Sequence, residues 1–221
     1  MGNFVSELLR LSELLARRVD DPNGSIRYLA AKLADMWTRR LVKANHTVME
    51  LICASYLIGR GFEVDVEHEL GDSLVCDIRA SRDGETFIVE IETGFVPPEA
   101  SFDPLAYRVS RVVSKIARYS RYSDYFALAT PPYHILQIPG FFAKPVSERS
   151  PEELRKLKEL CDRYYRRPPI PEEHILQGKV DVVYVIDVDG LTVTPLSLSD
   201  YHSSFVRREL DFLSSTSRLL S

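Results

Sequence analysis

The residues of this chain best suited to chemistry are acids placed in strands. Asp77 lies in Val75-Cys76-Asp77-Ile78-Arg79, and Glu90 and Glu92 lie in Phe87-Ile88-Val89-Glu90-Ile91-Glu92, with Asp83-Gly84 between them as a turn. Acidic residues are poor strand formers and are rarely buried unless a cation or metal accompanies them. Side chains alternate along a strand, so Glu90 and Glu92 share one face while Val89 and Ile91 take the other. The same rule sets Asp77 with Val75 and Arg79, against Leu74, Cys76 and Ile78. Neighbouring strands run about 4.8 Å apart, so a hairpin in the register of its short turn brings Asp77 and Glu90 to one point. Like charges that close raise each other's pKa or recruit a cation, and oxygen ligands suit a hard ion, Mg2+ or Mn2+. The alternative is a solvated strand face, which is how Glu63, Asp65, Glu67 and Glu69 read; His46 and His68 read as structural or exposed.

The elements that must position these acids follow from periodicity. Phe4, Val5, Leu8, Leu9, Leu11, Leu14 and Leu15 predict an amphipathic helix over 4–18. A break at 20–25 ends in an N-cap signal at Ser25, and a second helix runs over 26–42. A third covers 46–60, with Asn45 as its cap and Gly61 as its stop. Strands over 62–69, 74–80 and 86–92 form a meander; a helix over 104–122 and a short buried strand over 125–130 follow. The stretch from Pro131 to Gly178 is Pro-rich, with one helix near 151–165. A hairpin over 180–188 and 191–196 turns at Asp189-Gly190, and the last 25 or so residues read as a polar loop followed by a helix. The expectation is an α/β fold with a mixed central sheet flanked by helices. Residues 1–44 form an N-terminal helical extension, 45–130 an α/β core, and 131–221 a C-terminal α+β addition packed on that core.

Composition narrows the function classes. The 221 residues are 45% hydrophobic and 27% charged, with a net charge of −4. That is the profile of a soluble globular protein, and nucleic-acid binding must then come from a local patch. Three dispersed cysteines, without a CxxC pair, form neither a disulfide framework nor a structural zinc site. No apolar run reaches the roughly 20 residues of a membrane span, and the N-terminus lacks a signal-peptide core. The expectation is a cytoplasmic protein with no membrane partner. There is no Gly-rich phosphate loop, no GxSxG elbow and no HExxH.

Cys76-Asp77, followed after the turn by Glu90-Ile91-Glu92, resembles the PD-(D/E)xK motif of the restriction-endonuclease-like nuclease superfamily. The element order over about residues 45–130 is similar to that superfamily's core. The archaeal Holliday-junction resolvases and Mrr-like nucleases look nearest, because they carry an acid in the leading helix where this chain has Glu50. Cys76 stands at the motif's proline and Glu92 at its lysine. Some members use an E-x-E version, and others move the lysine to the following helix, where this chain has Lys115. The resemblance implies metal-assisted phosphodiester hydrolysis, with Asp77 and Glu90 holding Mg2+ or Mn2+ and Glu50 adding a ligand. It further implies Glu92 as general base and Lys115 offsetting charge on the phosphate. Members of this size are often two-fold dimers, which extends the expectation to a homodimer.

The helix over 104–122 carries Arg108, Arg111, Lys115 and Arg118 in one arc, a stripe suited to the phosphates of DNA, or else a solvated helix face. Arg17, Arg18, Arg27, Lys32, Arg39, Arg40 and Lys43 form a second basic group. Arg163-Tyr164-Tyr165-Arg166-Arg167 mixes rings with cations but also reads as a helix end. Two readings compete with a DNA nuclease: a non-catalytic module that binds nucleic acid or protein, and a hydrolase of nucleotides or other phosphorylated substrates.

Overall fold

A computed structural model describes residues 2–71 and 73–204. Three helices come first: α1 (Gly2–Arg18), α2 (Ser25–Thr38) and α3 (Ala44–Ile58). The meander β1 (Glu63–Gly71), β2 (Leu74–Arg82) and β3 (Glu85–Ile91) follows, then α4 (Pro104–Tyr119) and β4 (Tyr125–Thr130). The remainder is α5 (Pro151–Tyr164), α6 (Glu172–Gln177), β5 (Val182–Asp187) and β6 (Thr192–Leu196). The six strands form one sheet in chain order. β1 to β3 are antiparallel, β4 is parallel to both β3 and β5, and β6 is antiparallel to β5. The fold is therefore α/β, a mixed sheet with helices on both faces. Residues 198–204 are helical, and the rest of the predicted C-terminal helix lies outside the described residues.

Two apolar cores sandwich the sheet. On one side Leu8 and Leu15 of α1, Leu29 and Leu33 of α2, and Leu51, Ile52 and Leu57 of α3 pack against Val66, Ile78, Val89 and Ile91. On the other, Val112, Val113 and Ile116 of α4, Leu154 and Cys161 of α5, and Ile175 of α6 pack against Ile88, Phe126, Leu128 and Val183. β3 and β4 lie between both layers, which is why they read as nearly continuous apolar runs. Glu90 and Glu92 are thus embedded in a strand end with almost no exposure, at 1% and 3%.

The element ends depart from the sequence expectations for local reasons. Asp21, not Ser25, caps α2: its carboxylate accepts from the Ser25 and Ile26 N–H groups, each at 2.9 Å. α2 stops at Thr38, and Arg40 takes a left-handed φ of 62° that turns the chain into α3. Lys43 precedes α3 as its cap residue, in place of Asn45, and contributes no side-chain bond. α6 is an addition within the Pro-rich stretch, too short to show a helical period. Asp83 and Gly84 have φ of 55° and 85°, the paired positive values of a type I′ hairpin turn. All three cysteines are buried and unpaired. No helix among the described residues is long and apolar enough to cross a membrane.

Candidate metal and active site

β2 and β3 pair from Arg82 opposite Glu85 as far as Ile78 opposite Val89, and then part. β2 continues beside β1, with Cys76 opposite His68, while β3 continues beside β4, with Glu90 opposite Leu128. Asp77 and Glu90 occupy the fork. Backbone groups that leave a ladder need new partners, and the two carboxylates supply them. Asp77 N–H donates to Glu90 Oε1 at 3.1 Å, and Ile91 N–H donates to Asp77 Oδ2 at 2.5 Å. Cys76 belongs to the core on the α4 side and Ile78 to the core on the α3 side. The expected face-sharing of Cys76 and Ile78 is therefore corrected: alternation breaks at Asp77, and its carboxylate is reached from both helical layers.

From α4 comes Lys115. Its Nζ lies 3.2 Å from Asp77 Oδ2, 3.1 Å from Glu90 Oε2 and 2.6 Å from the Ile91 carbonyl oxygen. Burial opposes the charge on Lys115, but the facing Asp77 and Glu90 carboxylates outweigh it and hold its pKa above the ordinary value. Asp77 is held below the carboxylate range despite its burial, chiefly by Lys115 and His46. Glu90 goes the other way, pushed up to about 8 by burial and by Asp77. Glu92 stands apart from this trio. It is ion-paired with Arg111 Nε and accepts the Gly94 N–H at 3.0 Å.

From α3 come His46 and Glu50. His46 Nδ1 is 2.7 Å from Glu50 Oε1, and its Nε2 is 3.6 Å from Asp77 Oδ2. Burial works against an imidazolium here, but Asp77 and the bond to Glu50 prevail and lift His46 to about 9. Burial raises Glu50. Glu67 of β1 completes the group. Its φ of 47° is left-handed, and burial together with Glu50 and Asp77 pushes its carboxyl up to about 8. The expectation that Glu67 belongs to a wet strand face is corrected by this placement, while His46, read as structural or exposed, is bonded to Glu50 within the same group.

His46, Glu50, Glu67 and Asp77 each offer a ligand atom, all within 4.8 Å of one another, so the group can hold a metal ion. Glu50 Oε2 tests the fit. Glu50 is fully buried, and this oxygen makes no hydrogen bond in the protein. An orphaned buried carboxylate oxygen facing another carboxylate is costly; a proton on Glu67, or a cation between the two, removes the conflict. One imidazole with three carboxylates is a ligand set for a divalent ion.

The structure therefore brings together Glu50, Asp77, Glu90 and Lys115 of the residues named from sequence, adds His46 and Glu67, and places Glu92 on Arg111. Of the other two members of the basic stripe, one is engaged and one is not. Arg118 donates to the Pro168 carbonyl at 3.2 Å and stands over Tyr165, while Arg108 buries an Nε without a partner. The signal that could have found His46 is its i, i+4 spacing to Glu50, which puts both on one helix face.

No family model matches this chain, and no curated protein matches it. Among solved structures there is a weak likeness to a chain of the CdiA-CT/CdiI toxin and immunity complex from Burkholderia pseudomallei, at 16% identity and a TM-score of 0.27, covering 69% of this chain and 85% of that one.

Proposed function

We propose that this protein is a metal-dependent nuclease, with α3, the β1–β3 meander, α4 and β4 as a PD-(D/E)xK core and DNA as its substrate. One observation carries the reading: at the β2–β3 fork Asp77 is shared between Lys115 on one side and the His46, Glu50 and Glu67 group on the other. Asp77, Glu50, His46 and Glu67 would hold the ion, with Glu90 beside them on Lys115. When bound, the ion supplies a Lewis acid for the phosphate and lowers the pKa of a water. The imidazole shifts preference from Mg2+ toward Mn2+.

Lys115 takes the part of the motif lysine. Its ammonium group is fixed by three acceptors beside Glu90 and can steady negative charge as the phosphate is attacked. Glu90, raised to about 8, would act as the base in its ionised form, whose share grows as pH rises toward that value. Glu92, tied to Arg111, positions that arginine toward the phosphate rather than acting as the base. Arg108 and Arg118 lie along the same helix and add positive charge near it, with Arg118 already donating to Pro168.

The second reading, a non-catalytic binding module, is favoured by one feature: Lys115 already neutralises Asp77 and Glu90 without a metal. It leaves the left-handed backbone of Glu67 without a purpose, and needs a proton on Glu67 to satisfy Glu50 Oε2. The deciding experiment incubates the protein with labelled single-stranded, duplex and four-way DNA in Mn2+, Mg2+ or chelator. Metal-dependent cutting that Asp77→Ala abolishes is expected. Binding without cutting under every metal condition refutes the nuclease.

A further inference from the structure

Beside the metal group lies a cleft of about 340 Å3 whose lining includes Lys43, His46, Glu67, Phe95, Tyr107 and Arg111. His46 and Glu67 belong to the metal group, so the cleft opens directly onto it. Phe95 leaves 52% of its surface exposed, and Phe102, further along the β3–α4 connection, is 99% exposed. Of the two, Phe95 lines the cleft, and its ring is open to it. Lys43 Nζ lies 4.3 Å from the centroid of the Phe95 ring. Phe95 is also held in place. Gly94, immediately before it, has a φ of +80° and packs so closely on His134 that a Cβ would fall 2.4 Å from its Nδ1; its N–H is fixed by Glu92.

We infer that this cleft seats one unpaired nucleotide of a single-stranded nucleic acid, its base against Phe95 and its phosphate on Lys43 and Arg111. The inference rests on the phosphodiesterase reading above. A duplex stacks its bases on one another and offers a protein their edges; the side of the Phe95 ring away from Lys43 can be stacked on only by a base whose own face is free. Aromatic side chains stack on any unpaired base, with little regard to sequence, while cations track the backbone. The cleft combines both, and its volume suits a nucleotide rather than a base pair. An apolar peptide would satisfy Phe95 but would leave Lys43 and Arg111 against uncharged surface, so a phosphate-bearing occupant fits better. Oligo-dT and oligo-rU share this chemistry, and comparing them distinguishes DNA from RNA as its source.

The test is fluorescence anisotropy in chelator at low ionic strength, where binding is read without cutting, using labelled oligo-dT, oligo-rU and a blunt duplex of the same length. The protein should bind a single strand more tightly than the duplex. Phe95→Ala should weaken single-strand binding by about tenfold or more, and Phe95→Trp should restore it. Tyr28→Ala, which removes another exposed ring at the far end of α2, should change nothing. Equal single-strand binding by Phe95→Ala and wild type, duplex bound as tightly as single strand, or no binding of any oligonucleotide overturns the inference. Phe95-dependent binding with no cutting in Mn2+ removes the nuclease and keeps the nucleotide seat. Mn2+-dependent duplex cutting that Phe95→Ala leaves unchanged does the reverse.

Discussion

Replacing Lys115 by methionine keeps the bulk of the stem and removes one buried positive charge. The side chains involved are nearly closed to solvent, at 13% for Lys115, 13% for Asp77 and 2% for Glu90. Taking one partner from a buried ion pair costs about 3–5 kcal/mol, because the charges left behind are uncompensated. In a chain of this length each kcal/mol moves the melting temperature by about 2–4 °C, so Lys115→Met should lower it by about 6–20 °C in chelator. Glu90 can relieve part of the loss by taking a proton, since its pKa already stands near 8. The deficit should therefore sit at the low end of that range at mildly acidic pH and widen above pH 8. Mn2+ replaces positive charge on the other side of Asp77, so adding it should rescue the variant more than it stabilises the wild type. Differential scanning fluorimetry across pH, with Mn2+ or chelator, reads all three effects. A variant melting within about 2 °C of wild type in chelator would show that Lys115 is not the counter-charge of the fork. Wild-type cutting rates in the same variant would remove its catalytic assignment.

Glu92→Gln should lose about 1–3 kcal/mol of stability, since Arg111 keeps a third of its side chain in water, yet retain metal-dependent cutting; a loss as complete as that of Asp77→Ala would restore Glu92 as the base. His46→Ala should abolish any preference for Mn2+ over Mg2+ in the nuclease assay while leaving Mg2+-dependent cutting measurable, and an unchanged ratio of the two rates would place His46 outside the ligand set. In chelator, the melting temperature should fall as pH rises from about 5 to about 9. The raised pKa values of His46, about 9, and of Glu67 and Glu90, about 8, give stability that is full below their ordinary values of 6.5 and 4.5 and is lost as pH climbs through the folded ones. Asp77, held low, titrates below that window. A divalent ion displaces these protons, so its stabilisation should grow over the same range; calorimetry that finds no proton release on Mn2+ binding at neutral pH would contradict the ligand group.

Much of the scaffold was legible because it rests on local rules. The Asp83-Gly84 turn set the β2–β3 register, and apolar periodicity marked α1, α3 and α4. Where the reading failed, an event without a sequence signature intervened. Arg40 and Glu67 adopt left-handed backbone that their residue types do not announce. At Glu67 that conformation breaks the strict two-residue alternation, which is why a strand that reads as one wet face places a carboxylate beside Glu50 and Asp77. Asp77 is a second such place: its strand loses β3 there while keeping β1, and alternation read through it assigns Cys76 and Ile78 to the same side when they serve opposite cores.

The placement of Glu92 has a geometric reason. Two steps along a strand cover about 6.6 Å, and one turn of helix, four residues, covers about 6 Å. Glu90 and Glu92 on β3 and its extension are therefore in register with Lys115 and Arg111 on the antiparallel stretch of α4, one cation for each acid. With two acids on the strand, the helix must supply two cations or leave a carboxylate buried and unpaired. The cation facing Glu90 reaches Asp77 and the Ile91 carbonyl as well, because the fork is open there; the cation facing Glu92 meets a chain already leaving the sheet. On the proposed nuclease reading, the positive charge that the motif places on the strand is supplied instead from α4, by Lys115 at the level of Glu90, while Arg111 neutralises Glu92 at the lysine's position.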